Sequence, residues 1–553
     1  MKLFHCALII ASFSYAQEAS SGHIVIGGAS AVYDAKLNGG CVGNGIADDT
    51  ACLSAAVASA VAGAKAFYVP PGTYRIRATS GTIIACAAVG MECFGAGMGK
   101  TILYVDGSVA LTGALFVLSA NYYANVSIHG FSIIIGSGYS GGNDIYPIVA
   151  SYGARNARIY DNEISGGYSG STPGVSSAAI SLYEPYNSPE FATTLGTAID
   201  AGVQSVTPAS MAGIYVGRRI QIGGASESVL VTATTSTTFT ATFAKAHTGA
   251  DSVIGYSNMR QYALVEGNYI HDVPAHGITP NSAMNIIRRN RIINAGVAAG
   301  SHSIYAQSWG NVIEGNYIEY AFGTCINVAG ASPTGDNTAN RVVNNEVINC
   351  GSSAIDVMSQ GQNGDGTSPE IPNGVSVNRG AVIQGNLIRR LNGVTTAPGR
   401  TGFAALSCAA NCQIIGNTLE DAAGDDEAAW ISASYSIVSN NTLRVLNGAA
   451  NSQFGIRVEK STVADNAIAG WNKGGAAVFG LDQAVVHGNR ITVTGTNGYS
   501  VCVLLAAAAT YSSVSHNYCE TTRCGVHPSA SAGTNLISEN LVNLTVTPSQ
   551  CIY

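Results

Sequence analysis

Acidic residues are sparse in this chain, with 33 Asp and Glu among 553 residues, and one of them stands where it could meet a ligand. Asp356 follows Ile355 in the run Ala354-Ile355-Asp356. Runs of the same form are Gly277-Ile278-Thr279, Ser303-Ile304-Tyr305, Cys325-Ile326-Asn327, Gly455-Ile456-Arg457 and Gly525-Val526-His527. Successive side chains of a strand point to opposite faces, so an inward aliphatic residue turns the next one to solvent. Stacking these runs predicts an outward column of Ser181, Thr279, Tyr305, Asn327, Asp356, Ala404, Ser432, Arg457 and Phe479, with Asp356 its only carboxylate. Hydrolysis of a glycosidic bond uses two carboxyl groups, about 5–5.5 Å apart for retention and roughly 6.5–9.5 Å for inversion. A partner for Asp356 would come from the following loop, as Asp365 or Glu370, or from Asp336 one unit earlier. Glu184, several units away, could line the same face.

A second chemistry fits neighbouring residues. β-Elimination of a uronate needs a base, an acid for the leaving oxygen, and a group that neutralises the carboxylate. His276 and His302 fall at equivalent positions of adjacent units, Tyr305 and Gln307 follow His302, and Asn281 sits beside Gln307. His302 and Tyr305 would form the base–acid pair, with Asn281 or Gln307 as neutraliser and His276 and Asn327 as further substrate contacts. The plainer alternative makes the histidines polar loop residues and Tyr305 a flat surface for a sugar.

What must position these groups is a repeat. From Ile159 onward a hexapeptide recurs: an aliphatic residue, two variable ones, Asn, a variable one, then an aliphatic residue, with Cys519 the exception. Its asparagines are 162, 268, 290, 316, 345, 386, 417, 441, 466, 489, 517 and 540, and from 268 they lie 22 to 41 positions apart. Periods of this length mark solenoids. The two aliphatics belong to separate short strands. Asn between them suits a bend, since it tolerates left-handed backbone angles, and its amide can hydrogen-bond up the stack as a ladder. The β-branched, Gly-rich pattern excludes a helical repeat. These features predict an all-β chain, a parallel β-helix with three short strands per turn. The 41-residue interval holds the loop 359–378, and long loops on a regular scaffold tend to carry function.

The composition agrees. Hydrophobic residues make up 46% of the chain against 11% charged ones, with 66 glycines, as in a sheet-rich solenoid with tight turns rather than a disordered chain. A net charge of -7 argues against a nucleic-acid binder. Lys2, the apolar run 7–13 and Ser14-Tyr15-Ala16 read as a signal peptide over 1–16, so the mature protein is expected to be secreted. No later stretch is apolar for long enough to span a bilayer. Cleavage removes Cys6 and leaves twelve cysteines, an even number suited to disulfides; Cys86 with Cys93 and Cys408 with Cys412 are close enough to pair. The segment 186–257 breaks the repeat and reads as a small inserted β-module, between the cap and first rungs (17–185) and the remaining rungs (258–553).

The N-terminal segment carries a further pair of motifs. Gly43-Asn44-Gly45-Ile46-Ala47-Asp48-Asp49-Thr50 leads into an Ala/Val-rich helical stretch, and Tyr68-Val69-Pro70-Pro71-Gly72-Thr73-Tyr74 follows. Asp48 or Asp49 would cap the helix, which would in turn cover the open end of the coil. With the Asn units, these motifs resemble the pectate-lyase-like superfamily of right-handed parallel β-helices. The resemblance implies an extracellular protein acting on polysaccharide in a groove along the outward strand face, with the Asp48-Asp49 pair structural. Polygalacturonases of that superfamily carry Asn-Thr-Asp, Asp-Asp, Gly-His-Gly and Arg-Ile-Lys elements in successive rungs. Ala275-His276-Gly277 matches only half of the third, and the others are missing from the expected rungs. The Asp-Pro-His element of mannuronan epimerases is absent. The expectation is therefore a secreted polysaccharide-cleaving enzyme, a hydrolase first and a lyase or epimerase second, with a non-catalytic glycan-binding coil as the third reading. No cofactor is called for, Ca²⁺ entering only if the chemistry is a lyase's. The partner is a polysaccharide, not nucleic acid or membrane, with homo-oligomers allowed.

Overall fold

The computed structural model describes residues 32–544, apart from 122, 138–144, 152–153, 167–177, 184–188, 217–218, 224–226, 257–260, 297–300, 309, 322, 330–338, 358–380, 390–403, 409–410, 422–428, 447–453, 472–474, 495–500, 508, 522–523 and 528–534. The signal-like segment 1–16 lies outside these residues. Among them the chain winds into three long parallel sheets, two of 16 strands and one of 14, each turn giving one strand to each sheet except the first and last, which give none to the third. Crossovers between parallel strands of one sheet are right-handed in nearly all proteins. The product is a parallel β-helix, as the repeat predicts.

Each sheet sends one column of aliphatic side chains into the coil. In the first sheet Val265 stacks on Ile287, Ile287 on Ile313 and Ile313 on Val342. In the third, Ile278, Ile304, Ile326, Ile355 and Leu406 stack in register. All nine are buried in one continuous core. At ~25 cal/mol per Å² of apolar surface, such columns supply the main drive for stacking.

The asparagines form the expected ladder. In each pair from Asn162 to Asn540, the side-chain oxygen of the later residue accepts both the backbone amide and the side-chain amide of the earlier one. For Asn345 and Asn386 both distances are 3.0 Å. The Nδ2 of Asn386 also donates to the Val342 carbonyl at 2.9 Å. The bend itself corrects the sequence reading. The ladder asparagines are not left-handed; the residue before each one is, for example Asp161, Arg289, Asn344 and Asn440 at φ 52–57°, and Gly267, Gly315, Gly385 and Gly416 at φ 61–66°. The left-handed residue turns the chain, which frees the asparagine to point inward and bond along the axis. A shorter second ladder runs beside it: Asn285 accepts from the Ala263 amide, Asn311 from Asn285 and Asn340 from Asn311, at 2.9–3.0 Å. Its sequence signal was an Asn five places before each of Asn290, Asn316 and Asn345.

The helix Thr50–Ala62 buries Leu53, Ala56, Val57 and Ala60 at the start of the core. Asp49 holds the cap position, yet its carboxylate reaches back to the amides of Val42 and Gly43, at 2.8 and 3.0 Å. Asp48 accepts the Thr50 amide instead, at 3.0 Å. Disulfides join Cys41 to Cys52, Cys86 to Cys93, Cys325 to Cys350, Cys408 to Cys412 and Cys502 to Cys519. Between Tyr183 and Leu264 the chain leaves the three sheets and forms two antiparallel sheets, of four and three strands, between Pro189 and Tyr256. They enclose a separate core that includes Val206, Ile220, Phe239 and Phe243.

Candidate functional site

The outward face of the third sheet carries the residues singled out above. Register places Ser181 beside Thr279, Tyr305 beside Asn327, Asn327 beside Asp356, and Asp356 beside Ser407. Ser432, Arg457 and Phe479 follow in order. One position differs from the sequence reading: the neighbour of Asp356 is Ser407, and Ala404 precedes the strand Leu406–Cys408. Ala404-Ala405-Leu406 offered a second frame in which an alanine faces outward. Leu406 fills the inward position opposite Ile355, because the larger aliphatic completes the core column.

Asp356 is partly buried between two uncharged neighbours, Asn327 and Ser407. Burial pushes its carboxyl up to about 6, against a hydrogen bond from Ser407 that pulls the other way. Desolvation disfavours the charged form of an acid, and no cation stands next to it in the column to offset the effect. A carboxyl of this kind keeps its proton in mildly acidic conditions and can deliver it to a leaving oxygen. Asp336, Asp365, Glu370 and Glu184 lie outside the described residues, so no second carboxyl is assigned here.

Two strands earlier the aromatic residues pack together. His276 is buried, and its Nδ1 accepts the backbone amide of His302 at 3.0 Å. With that lone pair occupied, the proton of the neutral ring sits on Nε2. The Tyr305 ring stacks on His276 at 5.0 Å between centroids and 17°, and the His302 ring lies 5.5 Å from His276 and 4.9 Å from Tyr305. One face of Tyr305 is therefore covered by His276. On the same strands the Gln307 amide donates to the Pro280 carbonyl at 3.2 Å, which places Gln307 opposite Asn281. The Asn281 Oδ1 is buried without a hydrogen-bond partner among the described residues, an acceptor that a ligand hydroxyl would satisfy. The structure thus brings His276, His302 and Tyr305 into one cluster beside Asn281 and Gln307. It sets Asp356 apart from them, two rungs from Tyr305 or ~10 Å along the axis.

The comparisons with known proteins fit this architecture. Residues 218–365 match the family model described as a right-handed beta helix region, so the coil is a right-handed parallel β-helix. No curated protein matches the chain. Among solved structures it is similar to the A-module of an Azotobacter vinelandii mannuronan C-5 epimerase (14% identity, 94% of this chain and 100% of that one, TM-score 0.36). It is also similar to the Dettilon tailspike protein (14% identity, 87% and 70% covered, TM-score 0.48). A third is the catalytic unit of a GH87 α-1,3-glucanase from Streptomyces thermodiastaticus (14% identity, 95% and 70% covered, TM-score 0.35). At such identities and scores these three matches carry no argument about chemistry.

Proposed function

We propose that this chain is a secreted enzyme that cleaves a polysaccharide bound along the outward face of the third sheet, with Asp356 as the proton donor. The observation that carries this reading is the raised carboxyl of Asp356, the one carboxylate among the described residues of the column from Ser181 to Phe479, where its companions are polar and aromatic side chains. A glycan is a ladder of hydroxyls and flat apolar faces, and the column offers it Ser, Thr and Asn beside Tyr and Phe. Hydrolysis is the favoured reaction, Asp365 or Glu370 supplying the second carboxyl. Five disulfides among the described residues support an oxidising, extracellular setting.

The stacked His276, His302 and Tyr305 favour a second reading, a lyase or epimerase acting on a uronate, with His302 and Tyr305 as base and acid. One screen separates the two. Uronate-containing and neutral polysaccharides are incubated with the protein, and both new reducing ends and near-ultraviolet absorbance of an unsaturated uronate are followed. Reducing ends without absorbance, abolished by Asp356→Asn, are expected. Absorbance lost in His302→Ala but kept in Asp356→Asn would install the second reading instead. Binding without cleavage of any glycan would leave a non-catalytic coil.

A further inference from the structure

Beyond Asp356 the same column passes onto a different kind of surface. Ser407, Ser432 and Arg457 follow Asp356 on successive rungs, so the guanidinium belongs to the third rung on, ~14 Å along the axis. Arg457 is partly buried and has no ion-pair partner among the described residues. The acid two places along its strand, Glu459, is already engaged by Lys460 at 3.7 Å. Beside Arg457 in register stands Phe479, whose ring stacks on Phe454 at 4.3 Å and 9°. Phe454, Phe479 and Leu504 pack with Ala476 and Val501 into an apolar cluster separate from the main core. Among the described strands Arg158, Arg291, Arg341 and Arg490 also meet no carboxylate, but Arg158, Arg291 and Arg490 lie over tyrosine rings and Arg341 is exposed. Arg75 meets Asp106, Arg288 and Arg289 meet Glu266, Arg389 meets Glu346 and Arg444 meets Glu420.

We propose that Arg457, Phe454 and Phe479 form a subsite for an acidic sugar unit, about three rungs from Asp356. The inference rests on the glycan-cleaving reading of the groove and names its substrate class, a polysaccharide bearing carboxylates. The planar guanidinium fork matches a carboxylate with two parallel hydrogen bonds, and in a partly dehydrated place such a pair is stronger than in water. The phenyl rings receive the apolar face of the pyranose. A glycan lying along the column would put a uronate carboxylate at Arg457 while the scissile bond lies at Asp356. Binding energy gathered there would hold the chain in place without touching the reacting atoms.

The test is equilibrium binding, by calorimetry, of polygalacturonate, alginate and a neutral β-glucan to full-length Asp356→Asn, and to the same protein carrying Arg457→Met, Arg457→Lys or Phe479→Leu. Arg457→Met is expected to weaken binding of at least one uronate polymer tenfold or more. It should leave the neutral glucan unchanged and flatten the salt dependence, while Arg457→Lys retains part of the affinity. Phe479→Leu should weaken the same polymer several-fold at unchanged salt dependence. Thermal unfolding of each variant separates lost binding from lost fold, and Arg457→Lys serves if the methionine variant does not fold. Uronate binding equal in the parent and in Arg457→Met overturns the subsite. Binding of the neutral glucan alone overturns it too, yet leaves the cleavage reading standing. Absence of binding to all three polymers, together with no cleavage of any glycan by the wild-type protein, removes both.

Discussion

Replacing Asp356 with Asn should stabilise the protein at neutral pH while destroying its activity, and the size of the gain follows from the site. The carboxyl has an ordinary value of 3.8 and is pushed up to about 6 in the fold. The folded chain therefore binds this proton more tightly than the unfolded chain does. Between pH 4 and pH 6 the native state holds more protons than the denatured one, so stability falls as pH rises through that window and is level above it. Two pK units at 1.36 kcal/mol each put the loss at up to about 3 kcal/mol. Asparagine keeps the shape and the acceptor oxygen but carries no charge to desolvate. Denaturant unfolding of wild-type and variant protein at a series of pH values from 4 to 8 gives the comparison. The two should be nearly equal at pH 4, with the variant pulling ahead by up to about 3 kcal/mol by pH 7. Wild-type cleavage should decline over the same range as the donor loses its proton. A difference between the two proteins that stays constant from pH 4 to pH 8 would refute the argument, because it would mean burial does not hold this acid protonated.

Two further predictions concern the coil. Asn386→Ala removes two hydrogen bonds donated by Nδ2 and two accepted by Oδ1, and leaves the buried amide of Asn345 without an acceptor. At ~1 kcal/mol for each bond and more for the orphaned donor, the loss should reach about 3–5 kcal/mol, read as a lower denaturation midpoint. Gly416 adopts φ 65°, and a Cβ there would meet nothing within 4 Å, so Gly416→Ala tests the bend alone. It should cost about 1–2 kcal/mol, whereas Gly416→Asn, as at the equivalent Asn344 and Asn440, should cost clearly less.

The sequence by itself determined the coil. A hexapeptide with one asparagine and flanking aliphatics specifies its own stacking, because period-two burial and an amide that bonds to its own kind both act between neighbouring rungs. The same locality made the residues after Ile278, Ile304, Ile326 and Ile355 legible as one outward column, in the order the structure gives them. Tertiary structure decided whatever depended on register across a long loop or on hydrogen bonds between rungs. Ser407 took the place beside Asp356 because the core needed Leu406. The turn fell to the residue before each asparagine because the amide had to point inward. Asp49 and Asp48 divided their tasks according to which backbone amides came within reach. The bond from the His302 amide to His276, and the burial that raises Asp356, are properties of a packed groove that no spacing of residues announces. Periodic contacts are written into the repeat, whereas the protonation of a single acid depends on everything that displaces water around it.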